Sequence, residues 1–81
     1  MDNLVLDRIK LRKRAIESCF ALTLKEGFDD QKITFHILNK FPTLVEGMND
    51  DEIYDYCLTI TSIIEERLQQ YDYQHGNTYI E

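Results

Sequence analysis

Thiol and imidazole side chains have the widest chemical range of the residues in this chain. The 81-residue sequence holds two cysteines, Cys19 and Cys57, and two histidines, His36 and His75. Thiolates and imidazoles bind zinc, but a structural zinc site normally shows paired ligands only a few residues apart, and the sequence has no such pair. Both cysteines fall on the apolar side of a predicted helix, so we interpret them as reduced core thiols. The sequence therefore predicts no metal and no cofactor.

Recognised catalytic signatures are also missing from the sequence. It contains no glycine-rich phosphate-binding loop, and no nucleophile and base stand at a familiar spacing. We therefore expect a protein that is not an enzyme.

A basic run is the candidate surface for nucleic acid. It consists of Arg8, Lys10, Arg12, Lys13 and Arg14. Clustered Lys and Arg bind phosphates by displacing counterions, but on a helix these five side chains spread around the circumference. Residues 1–25 carry a net charge of +3, and residues 26–81 carry −9. We interpret the run as a solvated, salt-bridged helix face and keep nucleic-acid binding as the alternative.

The basic run lies on the first of the predicted helices. Asp2 or Asn3 can cap this helix, and Gly27 can close it in the left-handed conformation, which gives about 23 residues. A second helix, capped by Asp29 or Asp30, is predicted to run to about residue 40, because the residue before a proline disfavours helical geometry.

The next segment contains the clearest local signature. Pro42 starts either a brief helix or a loop. Asn49 and Glu52 then form a capping box, with Met48 and Ile53 placed as a hydrophobic staple. This predicts a long helix from residue 50 to about residue 73, with a narrow apolar stripe formed by Ile53, Cys57, Ile60, Ile64, Leu68 and Tyr71.

Two apolar groups emerge when the first helix is plotted at about 100° per residue. The first consists of Val5, Ile9, Ile16 and Phe20, flanked by Leu6 and Leu24. The second consists of Leu4, Leu11, Ala15 and Leu22, with Cys19 between the two groups. A helix that caps one core needs a single stripe, so we expect one stripe to face the same chain and the other, through Leu4, Leu11 and Leu22, to form a homodimer.

Together these patterns predict an all-α protein. We expect a small helical bundle of two long antiparallel helices with one or two short helices, forming one domain of residues 1–73 with a polar tail at 74–81. No apolar run reaches the roughly 18 residues of a membrane span and no secretory signal is present, so we expect a cytoplasmic protein that does not enter a membrane. The function that we expect is that of a small regulator or inhibitor that docks a helical face onto another protein.

Overall fold

The chain folds into helices, as the computed structural model shows for the backbone of residues 2–76 and the side chains of residues 7–71. The elements are helix α1 (Asp2–Glu26), helix α2 (Asp30–Lys40), a 3-10 turn (Pro42–Val45) and helix α3 (Asp50–Gly76). Residues 2–76 contain no strand. The prediction of an all-α protein is therefore confirmed.

The C-terminus of α1 and both termini of α2 lie at the residues that the sequence marks as caps or stops. Gly27 has a φ of +95°, and its N–H donates to the Thr23 carbonyl at 2.8 Å, which ends α1. The Asp29 carboxylate then accepts the N–H of Gln31 at 2.9 Å and caps α2. Pro42, in the first turn of the 3-10 segment, marks the end of α2.

The capping box at the start of α3 is present in full. The Asn49 side chain accepts the Glu52 N–H at 2.9 Å, and the Glu52 carboxylate accepts the Asn49 N–H at 3.0 Å. Each bond satisfies a backbone donor that the first turn of a helix leaves without an internal partner.

We expect Asn49→Ala to lower the free energy of unfolding by about 1 kcal/mol, because the capping acceptor is lost. Denaturant unfolding of this variant, beside the exposed Asn39→Ala variant in α2 as a control, measures the effect. Equal unfolding midpoints for the two variants would contradict the capping role.

The hydrophobic core lies where α1, α2 and α3 contact one another. Its buried members are Ile16, Cys19, Ile33, Ile37, Cys57, Ile60 and Ile64. Five of these seven come from the predicted second helix and the centre of the predicted α3 stripe. Two buried hydroxyls are satisfied locally, since Thr23 donates to the Cys19 carbonyl and Thr61 donates to the Cys57 carbonyl.

The core face of α1 differs from the predicted one. Ile16 is buried and Phe20 packs against the core, but Ile9 is 59% exposed and Leu24 is 45% exposed. Ala15, which the helical periodicity assigns to the partner stripe, is 0% exposed. The predicted assignment of the two stripes is therefore wrong at these three positions.

The second stripe of α1 faces α2 within the same chain. Ser18 lies three residues after Ala15 and four before Leu22, so the three share one face. The Ser18 hydroxyl is 2.7 Å from Nε2 of His36 in α2, and Leu11 and Leu22 are half-buried. As the two stripes predict, α1 has two neighbours, and the helices α2 and α3 that contact it both belong to this chain. The side chain of Leu4 lies outside the described residues.

The antiparallel arrangement of the two long helices is a second wrong prediction. In the first half of each helix, the Arg12 side chain lies beside the Tyr56 side chain. In the second half of each, the rings of Phe20 and Tyr71 meet edge to face with centroids 6.0 Å apart. Residue numbers thus rise together along α1 and α3, so the two helices run in the same general direction.

The physical reason is that the chain reverses twice between the two long helices. The first reversal occurs after Gly27, and the second passes through Gly47, which has a φ of +84°. One reversal makes neighbours antiparallel, and a second restores the starting direction. The short helix α2 therefore runs antiparallel to both long helices.

Part of the predicted tail belongs to α3, which continues through Gly76. Residues 77–81 lie outside the described part of the chain. The predicted polar tail thus stays a prediction for these five positions.

Candidate functional site: a groove between α2 and α3

An open groove between α2 and α3 is the strongest candidate for a binding site in the described structure. Its volume is about 430 Å³. We call it the α2–α3 groove, and its lining residues are Asp30, Gln31, Thr34, Phe35, Tyr54, Cys57, Leu58 and Thr61. The two helices meet through Ile33 and Ile37 on one side and Cys57 and Ile60 on the other, and the groove lies beside this contact.

The floor of the groove is held by polar contacts as well as by packing. Thr34 of α2 lies beside the buried Cys57 side chain of α3. Thr61, one turn further along α3, donates its hydroxyl to the Cys57 carbonyl at 2.8 Å. Cys57 and Thr61 are both buried, so the floor of the groove is part of the packed interior.

The rim of the groove is apolar and exposed. Phe35 is 62% exposed, Tyr54 is 67% exposed and Leu58 is 47% exposed. Tyr54 and Leu58 lie four residues apart on the same face of α3, and Phe35 faces them from α2. Large apolar side chains from two elements around one concavity are typical of a surface that binds another molecule.

Sequence reasoning missed this site, although the sequence contains one usable signal. Phe35 lies off the apolar face of its helix, so packing in the core does not explain an aromatic side chain at that position. Tyr54 and Leu58 likewise lie off the predicted α3 stripe.

Carboxylates flank the apolar rim. Asp30 lines the groove, and Asp51 and Glu65 each lie seven residues from Leu58, hence on the same face of α3. Among the described side chains, the ion pair that forms is Lys32 with Glu26, at 3.4 Å. The acids beside the groove therefore form no ion pair with a base within residues 7–71.

The basic run of α1 is exposed at all five positions, Arg8, Lys10, Arg12, Lys13 and Arg14. None of them forms an ion pair with a described carboxylate, so the predicted salt-bridged face is not observed within residues 7–71.

Two of these bases act on Tyr56 of α3. Burial raises the pKa of Tyr56, and the nearby charges of Arg12 and Arg8 oppose that rise. Arg12 of α1 therefore lies at the contact between α1 and α3.

Both cysteines are free thiols buried in the core, as predicted. Burial raises the pKa of the Cys19 thiol to about 11, and the neighbouring Cys57 acts in the same direction. Burial also raises the pKa of Cys57, against a smaller opposite effect from Thr34. A protonated, enclosed thiol is a poor nucleophile.

We expect both thiols to be alkylated far more slowly in the folded protein than in denaturant, and reductant to leave the melting temperature unchanged. The folded pKa of Cys19 lies above its ordinary value of 9.0, so its contribution to stability is complete below about pH 9 and is lost as the pH rises to about 11. Cys19→Ala should lose less stability than the parent across that range. A melting temperature that falls in reductant would reveal a disulfide instead.

The histidine and cysteine side chains do not assemble into a metal centre among the described residues. No group of three or more His, Cys, Asp or Glu side chains there could hold a metal ion. His36 instead contacts Ser18, and its ring lies 6.1 Å from that of Phe41. His75 has a side chain outside the described residues.

The described helices also lack a membrane-spanning segment, because none is both long and apolar enough to cross a bilayer. Comparisons with protein-family models, with curated proteins and with solved structures found no match.

Proposed function

We propose that this chain is a small non-catalytic, cytoplasmic regulator or inhibitor that binds a helical segment of another protein in the α2–α3 groove. The observation that supports this is the exposure of Phe35, Tyr54 and Leu58 around one concavity. A groove between two helices suits a helix that lays its apolar face into it.

The energetics favour a reversible complex. Full burial of a Phe or Leu side chain contributes roughly 1.5–3 kcal/mol, and the three rim residues are already partly covered. Part of the free energy gained when they are buried further is offset by the conformational entropy that both partners lose on binding. A transient interaction of the kind that regulators make is therefore expected.

The groove is a better candidate surface than the stripe of Leu4, Leu11 and Leu22. Leu11 and Leu22 are half-buried against the same chain, and Ala15 between them is fully buried. The periodicity predicts a homodimer because the stripe needs a neighbour, and Leu11 and Leu22 already have part of that burial within the chain.

Site-specific photo-crosslinking tests the proposal. A photoreactive amino acid at position 35, at the rim, is compared with the same amino acid at position 21, on the exposed face of α1. A discrete protein adduct that forms at position 35, fails at position 21 and disappears in a Leu58→Asp background supports docking in the groove. Equal adducts at both positions would contradict it.

A matched pair of leucines provides the control. Leu58 and Leu24 are exposed to 47% and 45%, but Leu24 lies on α1 away from the groove. Leu24→Asp introduces the same charge as Leu58→Asp and should leave the adduct unchanged.

Nucleic-acid binding by the basic run is the second candidate. It is favoured by the exposure of all five bases and by their lack of ion pairs with described carboxylates. The net charge of −6 opposes it, because the rest of the surface repels a polyanion.

A mobility-shift titration at low and physiological salt distinguishes the two functions. We expect only weak, non-specific binding at physiological salt, unchanged in an Arg8, Lys10 and Arg14 to Gln triple variant. Tight binding that weakens steeply with salt and is lost in this variant would favour the nucleic-acid function.

A further inference from the structure

We infer that the helix received by the α2–α3 groove is a basic amphipathic helix, with apolar anchors on one face and Lys or Arg near both ends. This inference rests on the proposed function and adds the charge of the partner. Its basis is where the carboxylates lie relative to the apolar rim.

The exposed face of α3 has an ordered sequence of side chains along the groove. Asp51, Tyr54, Leu58 and Glu65 succeed one another at spacings of three, four and seven residues, which keeps them within one narrow face. The apolar pair thus lies between two carboxylates that are 14 residues, or about 21 Å, apart. Asp30 adds a third carboxylate from α2.

The charge of this face is not explained by helix capping alone. Asp51 lies in the first turn of α3, where a carboxylate is favourable beside the positive end of the helix dipole. Glu65 lies in the middle of the helix, where the dipole contributes nothing. Residues 50–71 of α3 contain six acids and the single base Arg67.

Carboxylates around an apolar groove that form no ion pair within residues 7–71 select a partner by its charge. A helix with acids near its ends would be repelled, and one with bases would be steered in and held in register. The negative potential of these carboxylates also disfavours an anionic membrane surface or a nucleic acid at this site. A basic amphipathic helix from another protein can bury its apolar face against the rim and place its Lys or Arg side chains beside the flanking carboxylates.

Synthetic peptides test the inference by fluorescence anisotropy. The probe is a labelled alanine-based helix of about 18 residues with leucines along one face and lysines near both ends. A second peptide has glutamates in place of the lysines. We expect the lysine peptide to bind the parent protein at least about tenfold more tightly than the glutamate peptide.

Protein variants separate local recognition from general attraction. Asp51→Lys with Glu65→Lys should weaken the lysine peptide about tenfold, whereas Asp7→Lys with Glu17→Lys, on exposed positions of α1, makes the same change in net charge and should have much less effect. Leu58→Asp should abolish binding even though it makes the protein more acidic. Equal weakening by both charge-reversal pairs would overturn the inference.

The remaining outcomes distinguish this inference from the proposed function. If both peptides bind equally and both need Leu58, the groove is a docking site without charge selectivity, so the inference fails and the proposed function stands. If neither peptide binds, the inference fails, and the crosslinking result decides the proposed function. If the protein alone sediments as a dimer that Leu58→Asp dissociates, a second copy occupies the groove, which also overturns the inference.

Discussion

Replacement of Ile60 by glutamate is expected to unfold the protein. Ile60 is 0% exposed and belongs to the cluster that joins α1, α2 and α3. Removal of a buried isoleucine side chain costs about 2–5 kcal/mol, and an unpaired buried carboxylate adds several more. Domains of this size are stable by only roughly 4–12 kcal/mol, so the variant should have little folded population.

Circular dichroism and denaturant titration measure this loss. Ile9→Glu is the matched control, because Ile9 is 59% exposed on α1 and the same carboxylate remains in water there. The control should keep the parent's free energy of unfolding to within about 0.5 kcal/mol. A cooperative unfolding transition for Ile60→Glu close to that of Ile9→Glu would contradict the observed core.

Replacement of Ala15 by glutamate should have an effect of similar size, for a different reason. Ala15 is 0% exposed on the face of α1 where Ser18 meets His36, so its surroundings leave no room for a longer side chain. Overpacking costs typically about 1–3 kcal/mol, and a buried charge raises the cost further. We expect loss of cooperative unfolding and of α2 packing.

Ala21 provides the control on the same helix. It is exposed, so Ala21→Glu should leave stability within about 0.5 kcal/mol of the parent. If Ala15→Glu instead remains folded and only changes sedimentation, the face of Ala15 is a surface between copies, as the periodicity of α1 predicts. The observed burial of Ala15 within the chain would then be wrong.

The sequence alone determined where α1 ends and where α2 and α3 begin. The capping box of Asn49 and Glu52, the Asp29 cap and the Gly27 turn depend on hydrogen bonds between residues at most four apart. Such bonds do not depend on the rest of the fold, so the residue types predict them. The burial of Cys57, Ile60 and Ile64 was likewise predictable, because a four-and-three spacing leaves one face of α3 apolar.

The tertiary structure decided which neighbour each face of α1 meets. Helical periodicity shows that a residue such as Ala15 lies on an apolar face, but it does not show whether the neighbour is α2, α3 or a second chain. Ile9 has the right periodicity and is still 59% exposed, because periodicity does not show how far along α1 a neighbouring helix covers it.

The direction of the long helices and the groove were also decided in three dimensions. The chain reverses at Gly27 and again at Gly47, so α1 and α3 run in the same direction. The common direction follows only if α2, between the two reversals, is a helix that packs against both long helices. Phe35 belongs to α2, whereas Tyr54 and Leu58 belong to α3, and all three lie off the core stripes. Only the packing of α2 against α3 brings them to one rim. A binding surface formed by two helices cannot be read from the pattern of either one, because each pattern reports the faces of one helix and not the distance between two.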